Sequence, residues 1–460
     1  MGDQPPDAAR RWQDEGSGSH ALGAPPPHPA PATDRPAASA SQLRRRAVTP
    51  TSTPGHDQPL LILGGGLIGL AIAHELARRG RAVTVLSRRR SEAAGFVAAG
   101  MLAPHAEGLV GPLLELGQAS LERIPAWVER IETDSGLSCG LLSSGIVVPF
   151  TNADERDAYP TAAWGVPLDR RGLEQEVAGL APCWQAGLLF PQDGQIDNRR
   201  RLMRALERAC VHRGVHFEEG CEVLELVTAK RGRAGDSASA GPAPADRELQ
   251  SRPGPQGDVL QQDGRLVAVL LRRADGEEVP LPCSEAVLCC GAWSAALLPG
   301  LPLVPVKGQM LSLQGPIGAL RRVLFGPGTY LVPREDGLVV VGATSEPEAA
   351  FGEGLTPSGQ RQLQAGLSAL LPEASGWPPM ERWWGFRPCT PDQAPLLGAG
   401  PHEGLWLATG HHRNGVLLAA ITAELLGTVL VPAAGAIEAG RDTGWLQAFG
   451  WGRFSPRGCP

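Results

Sequence analysis

Gly64, Gly66 and Gly69 form a G-x-G-x-x-G within "PLLILGGGLIGLAIAHELARRG". That spacing suits a phosphate cradle. The first glycine permits a tight turn, the second lets backbone approach a pyrophosphate, and the third lets a helix pack closely on a strand. A helix beginning there turns free N–H groups and a positive dipole end toward the phosphates. The following strand, "RAVTVLS", ends on Ser87, eighteen residues after Gly69, where a ribose-binding acid is usual. A serine holds a ribose hydroxyl less firmly than a carboxylate does. Arg88 beside it would suit a 2′-phosphate, so the local signal leans to NADP over NAD. Arg88–Arg90 also reads as a solvated run, because arginine dominates the cations and the only lysines are Lys230 and Lys307. These residues alone leave NAD, NADP and FAD open.

A second set of residues suits carboxylate binding. "ERWWGFRPCTPDQAPLLG" sets Arg387 among Trp383, Trp384 and Phe386. Pro388 pushes Arg387 into an extended conformation. A guanidinium in apolar surroundings requires an anion, either a structural carboxylate such as Asp392 or a substrate carboxylate. "YLVPREDGLVVVGAT" reads as a hairpin turning at Glu335-Asp336-Gly337, with Tyr330, one of two tyrosines, on its first strand. "ATGHHRNGVLLAA" places Arg413 in a glycine-flanked turn before a helix that Asn414 is expected to cap. The free N–H groups of that helix would stabilise negative charge on a cofactor ring. His411 and His412 are adjacent, so they point apart, and no third ligand is evident; no metal site is expected. "AAGFVAAGMLAPHAE", residues 93–107, is small and non-periodic, and lets backbone lie against a flat ring or forms an alanine-rich helix.

The elements that must position these residues alternate along the chain. "NRRRLMRALERACVHRG" is an amphipathic helix, "VHFEEGCEVLELV" a strand, and "GLWLAT" a strand before the "GHHRNG" turn. Residues 1–58 are rich in Pro, Ala and Ser, without apolar periodicity, and read as disordered. They lack the apolar run of a secretory signal, and Asp3, Asp7, Asp14, Glu15 and Asp34 argue against an organelle transit peptide. No methionine lies between Met1 and Met101, which leaves a start nearer Pro59 open. Residues 229–263 read as a disordered insertion between strands.

Of the 460 residues, 42% are hydrophobic, enough for two sizeable cores. The formal charge of −6 argues against a nucleic-acid surface. The longest apolar stretch, "GVLLAAITAELLGTVLVPAAGA", is interrupted by Glu424, so no membrane span is expected. Scattered cysteines without a C-x-x-C pair fit a reducing compartment, and a cytoplasmic protein.

Together, "GGGLIGLAIAHEL", "AAGMLAPHAE", "PVKGQ", "YLVPREDGLVVVGAT", "GFRPCTPDQAPLLG" and "ATGHHRNGVLLA" resemble the D-amino-acid-oxidase-type family of FAD-dependent amine oxidases. Within it, they are most similar to the glycine-oxidising members of thiamine biosynthesis, over about residues 59–430. The resemblance implies an α/β fold, with a doubly wound, Rossmann-like FAD-binding domain. An α+β substrate domain on a mixed, largely antiparallel sheet is interleaved with it. The expected FAD-binding segments are 59–110, 197–300 and 399–432; those of the substrate domain are 111–196 and 301–398, with 433–460 a C-terminal extension.

The same resemblance implies non-covalent FAD. It places Gly64, Gly66, Leu67, Ile68, Gly69, Ser87, Arg88, Ala94, Gly95 and Val223 at FAD-contact positions. Ala99, Gly100 and Met101 fall beside the isoalloxazine. His411, His412, Arg413, Asn414, Gly415, Val416 and Leu417 run along it. Arg387 would grip a substrate carboxylate, helped by Tyr330, with Arg413 and Met101 alongside. Ser87, Ala94 and Gly95 depart from the family's usual acidic and hydroxyl residues. The implied reaction takes a small amine acid to its imine, hydrolysed to glyoxylate and ammonia when glycine is the substrate, with dioxygen reduced to hydrogen peroxide. No residue is expected to act as acid or base. Implied partners are the amino-acid substrate, dioxygen, thiazole synthase as acceptor of the imine, and a second copy of the chain. Sarcosine or D-amino-acid oxidases and quinone-linked dehydrogenases of the same fold are the alternatives, and a non-catalytic FAD-binding protein is a further one.

Overall fold

The structure, a computed structural model, describes residues 58–230, 264–432 and 440–454. The expectations for the tail, for most of the 229–263 insertion and for parts of the 433–460 extension lie outside these residues. Two large sheets organise the rest. The first has six strands in the order Leu396–Ala399, Leu405–Thr409, Ala286–Leu288, Leu60–Leu63, Val83–Ser87 and His216–Glu219. Its neighbours run parallel except for the outermost Leu396–Ala399. Leu60–Leu63 is central and wholly buried, which suits its unbroken apolar run.

Alternation decides what covers each face of this sheet. Leu60 and Ile62 share a core with the helices Leu67–Arg78, Gly111–Ser135, Met203–His212 and Gly415–Leu430. Leu61 and Leu63 share the opposite core with Leu266, Val269 and Leu271 of the antiparallel meander Glu222–Lys230, Gly264–Arg272 and Glu278–Pro282. Burying each such leucine contributes about 1.5–3 kcal/mol. The first helix stops where its sequence says it must. Gly80 takes φ +85°, and the N–H groups of Gly80 and Arg81 return to the carbonyls of Ala77 and Leu76.

The second sheet has eight strands. Their order is Pro379–Cys389, Val304–Gln314, Leu338–Gly342, Thr329–Pro333, Val323–Gly326, Ile146–Phe150, Ala186–Phe190 and Val166–Asp169. Only the pair Val323–Gly326 and Ile146–Phe150 is parallel. A small sheet of Met101–Leu102, Gly194–Ile196 and Leu141–Leu142 carries the chain between the two. The chain therefore adopts the expected α/β class with an interleaved, largely antiparallel second sheet.

Three details differ from the sequence reading. "VHFEEGCEVLELV" is two strands in different sheets, broken at Gly220 with φ +72°. The helix Gly111–Ser135 falls in the segment expected for the substrate domain. Its Leu116, Ile124, Trp127 and Ile131 instead join the core of the parallel sheet, because its apolar face fits the helices already there. Leu396–Ala399 likewise belongs to the parallel sheet, just before the expected boundary at 399.

Candidate functional site

The glycine turn is built as its spacing requires. Gly64 takes φ +112°, which a side chain would strain, and a Cβ on Gly69 would lie 2.0 Å from the Gly64 carbonyl oxygen. Gly66 is different: its Cβ would meet nothing closer than the Ala93 methyl at 3.4 Å, so the space over it is open. No side chain caps the helix Leu67–Arg78, and its first turn carries no acid. Its N–H groups and positive end are left for an anion. Leu67 is buried and Ile68 packs against the same core. Val223 packs on the opposite core.

Ser87 ends the second strand, buried. The three arginines after it are all answered by carboxylates. Arg88 lies 3.1 Å from Glu92 and 3.0 Å from Glu222. Arg89 reaches Glu92 at 3.0 Å, and Arg90 reaches Glu207 at 2.8 Å and Glu219 at 2.6 Å. The run is therefore ion-paired as well as partly solvated: Arg89 is exposed, Arg88 partly so, and Arg90 largely buried. Carboxylates surrounding Arg88 also disfavour a 2′-phosphate there, which removes the local argument for NADP.

The segment after this strand forms a short 3₁₀ turn, Ala94–Phe96, and then the strand Met101–Leu102. Gly95 packs against Met203, where a Cβ would come within 2.7 Å of the sulfur, which explains why no hydroxyl residue stands there. Its carbonyl accepts from the Asn198 amide, whose Oδ1 is buried without a partner among the described residues. Gly100 has φ +86° and lies against the Ile196 carbonyl. Arg334, buried, donates to the Ala99 carbonyl and to Gln195 Oε1 at 2.7 Å. Burial lowers its pKa to about 10 against the pull of Asp197, so it stays charged at neutral pH. Arg334 fixes the 99–101 backbone from behind, a role invisible in the sequence because Ala99 is 235 residues away.

The second sheet brings Arg387 and Tyr330 to this segment. Trp383 donates to the Val97 carbonyl at 2.9 Å, on the same strand, Pro379–Cys389, that carries Arg387. The Arg387 guanidinium lies across Gly308 of the neighbouring strand, where any Cβ would come within 2.3 Å of it. Arg387 donates to the Thr344 carbonyl at 3.1 Å and makes no ion pair among the described residues. Asp392, the structural alternative, is held by Arg453 at 2.8 Å. The Tyr330 hydroxyl lies 3.5 Å from the Met310 sulfur. Desolvation pushes its pKa up to about 12, against the pull of Arg387, so it is neutral and able to donate.

The end of that strand is joined to the last turn. Cys389 and His411 form a β-bridge, and the His412 N–H donates to the Pro388 carbonyl at 2.9 Å. Burial lowers the pKa of His411 to about 3, and burial with Arg387 and Arg413 does the same for His412. Both are neutral. His411 Nε2 lies 3.1 Å from the Thr422 hydroxyl, which occupies it structurally. Asn414 stands at the N-cap position of the helix Gly415–Leu430, but its side chain makes no capping bond, contrary to expectation. The φ of −93° and ψ of 9° are not those of an extended cap residue, and the helix N-terminus stays open. Val416 and Leu417 turn into the core, and the Leu417 carbonyl accepts from Ser120.

One partner of the site was not read from sequence. Glu107, with a side chain only 5% exposed, lies 2.5 Å from Arg413. Burial raises its pKa, opposed by Arg413 and then Arg387. Its turn is held tightly. Asp193 accepts from the His105 and Ala106 N–H groups at 3.2 and 2.8 Å and meets His105 Nδ1 at 2.6 Å. Thr161 and Tyr159 hold the His105 and Ala106 carbonyls at 2.6 and 2.7 Å. The only hint in the sequence was that Glu107 closes "AAGMLAPHAE".

The residues present fit an FAD. The cradle over Gly66 is open, two helix ends are uncapped and Asn198 Oδ1 has no partner among the described residues, so groups able to receive a pyrophosphate and a polar ring are free. Among the described residues, no cluster of metal-ligating side chains occurs.

Comparison with known proteins agrees. A family model described as FAD dependent oxidoreductase (DAO) matches residues 60–246 and 255–428. A bifunctional protein ThiO/ThiG of Synechocystis sp. is 40% identical over 380 residues, covering 81% of this chain and 51% of the relative. A glycine oxidase of Pseudomonas aeruginosa is 29% identical, covering 81% and 94%. The crystal structure of glycine oxidase from Geobacillus kaustophilus superposes with a TM-score of 0.68 at 26% identity, over 83% of this chain and 97% of that one. This chain spans about half the length of the bifunctional relatives it matches.

Proposed function

The chain belongs to the FAD-dependent oxidoreductase family, and on that premise we propose that it oxidises glycine. The single observation that carries this reading is Arg387. It is a guanidinium without a carboxylate partner, between Tyr330 and the turn that precedes the helix Gly415–Leu430. A small amine acid brings the missing carboxylate. The relatives' names, glycine oxidase and ThiO/ThiG, support glycine over larger acids.

Arg387 would bind the carboxylate, and Gly308 leaves it room to lie flat on the sheet. Tyr330 adds a hydroxyl donor beside it. The segment 99–101, pinned by Arg334, would set the distance between the substrate carbon and the flavin ring. The open N-terminus of Gly415–Leu430 would favour negative charge on that ring. When bound, FAD supplies the two-electron acceptor and passes the electrons to dioxygen. Tyr330 is pushed to about 12, and His411 and His412 to about 3, so none of these three takes up a proton as a base near neutral pH. Orientation is therefore the protein's main contribution.

Glycine, water and dioxygen would give glyoxylate, ammonia and hydrogen peroxide, by way of the imine. The imine would serve a thiazole synthase, the partner activity suggested by the bifunctional relatives. The free cysteines fit a reducing, cytoplasmic setting, and no described helix is long and apolar enough to cross a membrane. Self-association is part of the same proposal, checked by light scattering. Turnover on glycine, sarcosine and D-alanine, with peroxide measured, tests the reading. Peroxide from D-alanine or sarcosine but not glycine would favour a sibling oxidase, and substrate oxidation without peroxide would favour a dehydrogenase.

A further inference from the structure

Two guanidinium groups, Arg387 and Arg413, meet one buried carboxylate at this site. Glu107 is 2.5 Å from Arg413. Arg387 makes no ion pair of its own among the described residues, although its charge acts on Glu107 from farther away. Asp193, the next acid, is engaged by His105 and two backbone N–H groups behind the turn. The direct ion pair of Glu107 is therefore spent on Arg413, and Arg387 is left without one. The Glu107 backbone is not free to move away, because Asp193, Thr161 and Tyr159 hold the turn before it. Arg413 differs, with a side chain 37% exposed and a glycine on either side of its turn, at Gly410 and Gly415.

We propose that Glu107 is a specificity-determining residue, which occupies Arg413 so that the site accepts acids with one carboxylate and rejects those with two. A second carboxylate, as in iminodiacetate or malonate, would have to displace Glu107 from Arg413 or lie against it. Either costs electrostatic energy in a buried site. Glu107 touches no reacting atom in this scheme and acts through Arg413. The proposal rests on the amine-acid reading for its substrate, but its test does not need turnover.

The test uses the FAD-loaded protein and two simple anions, acetate and malonate, titrated against the flavin absorbance spectrum. The wild type is expected to bind acetate at least about tenfold more tightly than malonate. Glu107→Gln keeps the shape and removes the charge, freeing Arg413. It should improve malonate relative to acetate by about tenfold or more, whereas Glu107→Asp should keep the wild-type order. A wild type that binds malonate as tightly as acetate would overturn the proposal, whatever the variants do. So would a Glu107→Gln protein in which both anions shift by the same factor, which is what a merely structural role would give. Should Glu107→Gln lose its flavin, the wild-type ratio and Glu107→Asp still decide. A protein that prefers acetate in this way yet leaves glycine untouched would sink the glycine reading and keep the role of Glu107.

Discussion

At the nucleotide end of the molecule, Arg88 lies between Glu92 and Glu222, Arg89 reaches Glu92, and Arg90 lies between Glu207 and Glu219. At the other end, Arg387 donates to the Thr344 carbonyl and makes no ion pair among the described residues. In sequence, Arg88–Arg90 followed a nucleotide-binding strand, and Arg387 stood among aromatic residues as a charge in need of an anion. In structure their charges are treated in opposite ways. Arginines matched by carboxylates hold strands and turns together. An arginine without an ion pair, half-buried beside Tyr330, is prepared for an anion that arrives from outside.

The largest effect is expected of Arg387→Ala. Losing a charge-assisted partner for a carboxylate should cost roughly 3–5 kcal/mol of substrate binding, about a hundred- to several-thousand-fold in KM. FAD content should stay unchanged. An unaltered KM would place Arg387 with the structural arginines.

Arg334→Met is the next largest. It leaves Gln195 Oε1 and the Ala99 carbonyl buried without their donor, so stability should fall by about 2–3 kcal/mol in chemical denaturation. The flavin spectrum should shift as well, because the 99–101 segment loosens. A loss of stability with an unchanged spectrum would detach Arg334 from the site.

The histidines sharpen the contrast by pH. His411 and His412 are held at about 3 in the folded chain against an ordinary 6.5. Between those values the unfolded chain binds more protons. Their contribution to stability is present above pH 6.5 and lost as pH falls toward 3. The loss should reach about 1–2 kcal/mol per histidine near pH 5. Replacing His411 by Asn should flatten that slope. A stability profile that is level from neutral pH down to about pH 4 would contradict the burial of both rings.

The smallest effect belongs to the nucleotide end. Arg88→Ala removes partly exposed ion pairs, which together contribute about 0–1 kcal/mol. FAD should still bind within a few-fold of the wild type, and NADPH should not compete with it. A large loss of FAD would mean that Arg88 contacts the cofactor directly.

What the sequence revealed follows the range of each signal. The glycine turn, the Thr329–Pro333 and Leu338–Gly342 hairpin and the helix Leu67–Arg78 rest on neighbours within a few residues, and all were legible. Arg387 was legible as a charge needing an anion, because Pro388 and the tryptophans are adjacent to it. The choice between Asp392 and a substrate was not, because the rival partner Arg453 lies 61 residues beyond Asp392. His105 and Asp193 are 88 residues apart, so the lock behind Glu107 had no local pattern. The partners of Arg88 and Arg90 were hidden for the same reason, since Glu207, Glu219 and Glu222 arrive from distant strands and helices. The capping bond expected of Asn414 failed on backbone geometry, which residue type alone does not report.

If Arg387 and the flavin cradle belong to one amine-acid oxidase site, glycine mixed with the FAD-loaded protein in the absence of oxygen should bleach the flavin absorbance. Admitting oxygen should restore it with release of hydrogen peroxide. A flavin that stays oxidised with glycine, sarcosine and D-alanine alike would contradict that assignment.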